Sequence, residues 1–65
     1  MIMRFVTPKG ENVILSISKI MLISEEKKGV TVIMDDGTPI SISDSFEKIS
    51  QRLRNRDILF KTNED

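Results

Sequence analysis

Cysteine and histidine are both missing from this 65-residue chain. Their absence removes disulfides, thiol nucleophiles, thiolate or imidazole metal sites, and every side chain that ordinarily titrates near neutrality. Aromatic residues are reduced to Phe5, Phe46 and Phe60, a poor supply for a platform on which single-stranded bases would stack. The three glycines stand apart, each in a different turn region, so no phosphate-cradling loop is present. Net charge is lacking as well. Ten Lys and Arg offset ten Asp and Glu, which argues against a generic polyanion binder and provides little colloidal repulsion. No apolar run approaches the roughly 20 residues a membrane-spanning helix needs, since the stretch from Val13 to Ile23 is broken by Ser16, Ser18 and Lys19. The apolar start is interrupted at Arg4 and leads into Pro8 and Gly10 rather than a cleavage-site pattern. The chain therefore reads as cytoplasmic, with no secretory signal and no membrane partner.

A chain of this size buries only about 60% of the surface it exposes when unfolded. Apolar burial and conformational entropy then come close to cancelling, so small domains normally need a staple. With disulfides and thiolate or imidazole metal sites excluded, self-association is the staple that remains, and a homodimer is expected. A single domain over residues 1–61 is expected, followed by a frayed polar tail over 62–65.

What is present is a hydrophobic period close to 2 through the first two-thirds, carried mostly by Ile and Val. Met1, Met3 and Phe5 alternate with Ile2, Arg4 and Val6, and Pro8-Lys9-Gly10-Glu11 supplies a turn. Val13, Leu15 and Ile17 form the next same-face set, opposite Ile14, Ser16 and Ser18. After a corner at Ser18-Lys19, Ile20 and Leu22 oppose Met21 and Ile23, so both faces of that strand are apolar. Glu25-Glu26-Lys27-Lys28-Gly29 is a charged turn, and Val30 to Met34 is the clearest strand. Asp36-Gly37 then signals a hairpin with a primed turn, with Pro39 at the start or edge of the returning strand Ile40-Ser41-Ile42.

After Ser43 the period changes to 3.6. Phe46, Ile49 and Leu53 share one helical face, with Lys48, Arg52 and Arg56 on the other. Asp44 with Glu47 three residues later resembles a capping box, and the helix is expected to end at Asn55 or Arg56. Ile58-Leu59-Phe60 adds a short strand or covers the core. The fold class is α+β: a small antiparallel sheet of four to five strands with one C-terminal helix packed on one face. Phe46, Ile49 and Leu53 are expected to insert among Val13, Leu15, Ile20, Leu22, Val32 and Ile40.

Catalytic chemistry finds little to use. Asp35 and Asp36 are paired acids, but adjacent turn residues point apart and no metal-binding loop follows. Ser45-Phe46-Glu47-Lys48 has the Ser-x-x-Lys spacing on an exposed first helical turn without partners. The chain is expected not to be an enzyme and to use no cofactor, metal or small-molecule substrate.

Two binding modes remain. From Ser45 to Lys61, five basic residues (Lys48, Arg52, Arg54, Arg56 and Lys61) outnumber two acids, a local net of +3. They form the candidate nucleic-acid surface, although a charged helix face is more often simply solvated. Glu25 to Asp44 carries a local net of −3, so opposite charges of two copies could attract each other. One helix shields one side of a sheet. Ile14, Met21, Ile23 and Ile33 are the apolar residues assigned to the other side, and they form the candidate protein interface. The methionines fit an adaptable partner surface, though core packing is their commoner role.

The order of Lys9-Gly10, Val13 to Ser16, Ile20 to Ser24, Val30 to Met34, Asp36-Gly37 and a short helix resembles FlbD-type small flagellar proteins over about residues 2 to 53. Lys9 stands where that family commonly has asparagine. The beats Lys19-Ile20, Ile23, Val30 to Ile33, Asp36-Gly37, Phe46 and Leu53 are also similar to the first half of LytTR-type DNA-binding domains, whose second half has no counterpart after Phe60-Lys61-Thr62. The first resemblance implies a small non-enzymatic accessory protein, the second transcriptional DNA binding, and neither carries over site residues. The functional expectation is a non-enzymatic protein-interaction or regulatory module acting as a homodimer, with DNA binding through the basic C-terminal helix as the alternative.

Overall fold

The computed structural model describes residues 1–54 and 56–62. Six strands, one 3-10 turn and one helix follow in the order β1 (Ile2–Val6), β2 (Asn12–Ser16), the turn Ile17–Lys19, β3 (Ile20–Glu26), β4 (Gly29–Met34), β5 (Pro39–Ile42), α1 (Phe46–Arg52) and β6 (Leu59–Lys61). The α+β class is as expected, but the sheet is not single. β1 and β2 form a separate hairpin, while the other strands make a four-stranded sheet in the order β5-β4-β3-β6. That sheet is mixed, because β6 runs parallel to β3. The cause is α1, which carries the chain back across the sheet before β6 begins. No helix among the described residues is long and apolar enough to cross a membrane.

Two of the three hairpin turns use the same device. Thr7 and Glu11 close a loop of Pro8-Lys9-Gly10, with the Gly10 N–H donating to the Thr7 carbonyl at 2.9 Å. Met34 and Thr38 close Asp35-Asp36-Gly37 in the same way, with the Gly37 N–H on the Met34 carbonyl at 2.9 Å. The expected primed Asp36-Gly37 turn is not formed: no residue other than glycine has positive φ among those described, so only Gly37 (φ 89°) turns left-handed. A three-residue loop with its left-handed residue last needs only that one glycine, whereas the two-residue primed turn would also have strained Asp36.

The most consequential irregularity lies at the start of β3. Ile20 pairs with Met34 and Leu22 with Ile33, so Met21 is an extra residue, a β-bulge. A one-residue insertion reverses the facing of everything beyond it. Ile20 and Ile23, three apart, both enter the core, and Met21 is 52% exposed. This corrects two sequence-based assignments: Ile23 is 0% exposed and belongs inside the protein, while Leu22 turns outward.

One continuous core results, built from Phe5, Leu15, Ile17, Ile20, Ile23, Val30, Val32, Ile42, Ile49 and Leu53. Its covering layer is wider than the expected lone helix, because Phe5 and Leu15 of the hairpin lie in it beside Ile49 and Leu53. The hairpin is fastened to the end of β5 where Ser43 donates twice to the Val6 carbonyl, from its N–H at 2.8 Å and its Oγ at 3.1 Å. Val13, Ile40 and Phe46 pack against the cluster rather than within it.

α1 is shorter than its period suggests. Ser45, in extended conformation, is the N-cap, and its Oγ accepts from the Lys48 N–H at 3.2 Å. The expected Asp44–Glu47 capping box is therefore absent. Asp44 instead faces Arg52 at 3.9 Å, and Lys48 occupies the position from which a glutamate would reciprocate. Leu53 leaves helical geometry after its N–H bonds the Ile49 carbonyl. Of the two residues expected to end the helix, Arg56 lies beyond it and Asn55 falls outside the described residues, as do positions 63–65 of the expected tail.

Candidate protein-interaction surface

Strand alternation sends Ile23, Val32, Ile40 and Phe60 toward the core, so their neighbours Leu22, Ile33, Pro39 and Leu59 share the opposite, outer face. The register links these four residues into one row. Pro39 pairs with Ile33, Ile33 with Leu22, and Leu22 with Leu59, one residue from each strand. Leu59 is 68% exposed. Two residues further along, Ser41, Thr31, Ser24 and Lys61 form a second row through the same pairings. Ser24 Oγ donates to Glu26 Oε2 at 3.1 Å on the same face. The outer face thus carries an apolar band beside a hydroxyl band.

The four residues assigned to a protein interface do not meet there. Ile33 is in the apolar row. Ile23 is in the core, Met21 is exposed at the bulge, and Ile14 is exposed on the separate hairpin opposite Arg4. Leu22, Leu59 and Pro39 were the members missed. Alternation was a usable signal for them only after the bulge at Met21 is known, and a register between β3 and β6 leaves no local trace.

The basic residues are equally scattered. Lys48 and Arg52 are one helical turn apart, on one flank of α1. Arg52 is occupied: its guanidinium carbon lies 5.4 Å from the Phe5 ring centroid, Nη2 donates to the Arg4 carbonyl at 3.5 Å, and Nη1 faces Asp44. Arg54 lies on the other flank, lining a groove with Phe46, Ser50, Gln51, Phe60 and Thr62. Arg56 donates to Met1 Sδ at 2.7 Å, beside a second groove that includes Asp57 and Ile58. Lys61 is on the outer face of the sheet, away from all of these.

Ser45, the candidate nucleophile, and Asp36 of the acid pair have local roles. Ser45 caps α1. Asp36 Oδ1 accepts from the Thr38 N–H at 2.9 Å, and hydrogen bonds from the Thr38 backbone and then its side chain hold the Asp36 carboxyl below its ordinary value. No group of three or more metal-ligating side chains occurs among the described residues.

No protein family, curated protein or solved structure matches the chain. The FlbD-type and LytTR-type resemblances rest mostly on strand and turn spacing.

Proposed function

We propose that this protein is a non-enzymatic protein-interaction module that self-associates through the outer face of its four-stranded sheet. The observation that carries this reading is the row Pro39–Ile33–Leu22–Leu59, one apolar residue from each strand on the face turned away from the core. Pro39 and Leu59 at the ends of the row are exposed and Leu22 and Ile33 between them are half-buried, and a contiguous apolar band open to water favours a protein partner over solvent.

A second copy suits it because the row is self-complementary. A two-fold axis along the strand direction lays Leu59 over Pro39 and Leu22 over Ile33, while Lys61 falls over Ser41 rather than over its own image. Four strands at about 4.8 Å spacing, averaging about five residues at about 3.4 Å each, give a face of about 19 by 17 Å, or about 320 Å². That is well short of the roughly 800 Å² per partner in a standard interface, so the dimer is weak, with a dissociation constant of about 10–1000 μM. A protein partner is favoured over nucleic acid because the basic residues do not gather on one surface: Lys48 and Arg52 share one flank of α1, Arg54 lies on the other, Arg56 beside Met1 and Lys61 on the outer face of the sheet, and Arg52 is already engaged.

Sedimentation equilibrium from about 10 μM to 1 mM tests the reading across the range of that constant. A concentration-dependent dimer is expected, abolished by Ile33→Lys while the circular dichroism spectrum is retained. A chain that stays monomeric throughout the range, or an Ile33→Lys chain that dimerises as before, overturns it.

A further inference from the structure

The groove between α1 and β6 combines two features not used by self-association. Its floor is Phe46 and Phe60, whose rings meet edge-to-face with centroids 5.9 Å apart at 82°. Both residues are only half-buried, so part of the aromatic surface stays accessible. Its volume, about 360 Å³, is in the range of clefts that accept a ligand. The rim holds Arg54, Gln51, Ser50 and Thr62, with no carboxylate lining the groove among the described residues. Ser50 already donates its hydroxyl to the Glu47 carbonyl at 2.9 Å. Arg54 is exposed and enters no ion pair among the described residues, in contrast to Arg52. The groove beside Met1 offers no such bias, because Arg56 and Asp57 line it together.

We infer that the groove between α1 and β6 binds an acidic, hydrophobic peptide segment of another protein, seating an aromatic or branched apolar side chain on Phe46 and Phe60 and a neighbouring carboxylate on Arg54. An unpaired planar guanidinium receives a carboxylate through two parallel hydrogen bonds. Aromatic rings supply a non-directional anchor beside it, with a preference for edge-to-face contact. Charge sets the selectivity: among the described residues the rim presents a cation and no acid, so the peptide's carboxylate supplies a partner for Arg54. The site lies on the helix side of the sheet and is independent of the outer-face contact.

The test is an amide NMR titration with two capped tetrapeptides, one of aspartate, phenylalanine, leucine and aspartate, the other with lysine replacing both aspartates. The acidic peptide is expected to shift the amides of Phe46, Ser50, Gln51 and Phe60 with a dissociation constant of about 0.1–1 mM. It should bind about two- to fivefold more tightly than its lysine counterpart, as a rim ion pair allows. Arg54→Glu, an exposed substitution that should leave the spectrum dispersed, is expected to reverse that preference. Repeating the titration in the Ile33→Lys chain should leave the affinity unchanged, separating this site from self-association. The inference is overturned by shifts confined to other surfaces, by no binding up to about 5 mM, by equal affinity for both peptides, or by an octathymidylate that outcompetes the acidic peptide.

Discussion

The Arg52 guanidinium lies over the Phe5 ring at 5.4 Å, joining the end of the helix to the first strand across 47 residues of sequence. The same side chain reaches the Arg4 carbonyl and Asp44. A residue marked by its charge as a ligand for phosphate is thereby a structural clasp.

Replacing it should cost stability. Arg52→Ala is expected to lower the unfolding free energy by about 1 kcal/mol, combining a partly exposed cation–π contact, a weak surface ion pair and the packing of the side-chain stem. Urea denaturation measures this. Arg52→Lys should recover only part, since a lysine keeps the charge but loses the planar stack. No loss on Arg52→Ala would show that the clasp contributes nothing to the fold.

Glycine positions separate crowding from backbone strain. A Cβ on Gly29 would collide with the Ile42 carbonyl, whereas Gly37 has nothing within 4 Å of the same position. Gly29→Ala is expected to cost about 2–4 kcal/mol, from left-handed strain and a clash with backbone that cannot yield. Gly37→Ala should cost about 1 kcal/mol for its conformation alone. Equal midpoints in a thermal melt of the two variants would contradict the close approach of β4 and β5 at Gly29.

The bulge at Met21 makes neighbouring residues unequal. Ile23→Ala should destabilise by about 3 kcal/mol because Ile23 is wholly enclosed. Leu22→Ala should cost about 1 kcal/mol, since Leu22 lies on the outer face and leaves no closed cavity. Denaturation at low micromolar concentration, where the proposed dimer is dissociated, compares them. The reverse order would restore unbroken alternation along β3.

Asp36 supplies a pH dependence. Its carboxyl is held below its ordinary 3.8 by the Thr38 backbone hydrogen bond first and the Thr38 side chain second. The folded state thus favours the ionised form, so the unfolded chain binds more protons in the interval between the two values. The contribution is complete above pH 3.8 and is lost as the pH falls below that value through the folded pKa. An NMR titration should place the Asp36 midpoint below 3.8, with the Thr38 amide shifting in step, and Asp36→Asn should remove that transition. A midpoint at or above 3.8 would refute the assignment.

Much of the secondary structure was legible because it is local. Hydrophobic period 2 located β1, β2, β4 and β5, glycine and proline marked the hairpin loops, and the change of period located the helix with its inward Ile49 and Leu53. The candidate surface was far less legible. One inserted residue at Met21 exchanged Leu22 and Ile23 between faces. The charge count from Lys48 to Lys61 could not reveal that these side chains point to different parts of the molecule.

By itself, the sequence determined the class of fold and the absence of thiol and imidazole groups, since these depend on residue type and on spacings of two to four residues. Tertiary structure alone decided the rest: the parallel entry of β6, the pairing that aligns Pro39, Ile33, Leu22 and Leu59, and the meeting of Phe46 with Phe60. Those relations join residues distant along the chain, and side-chain packing selects among registers that local propensity leaves nearly equal in energy.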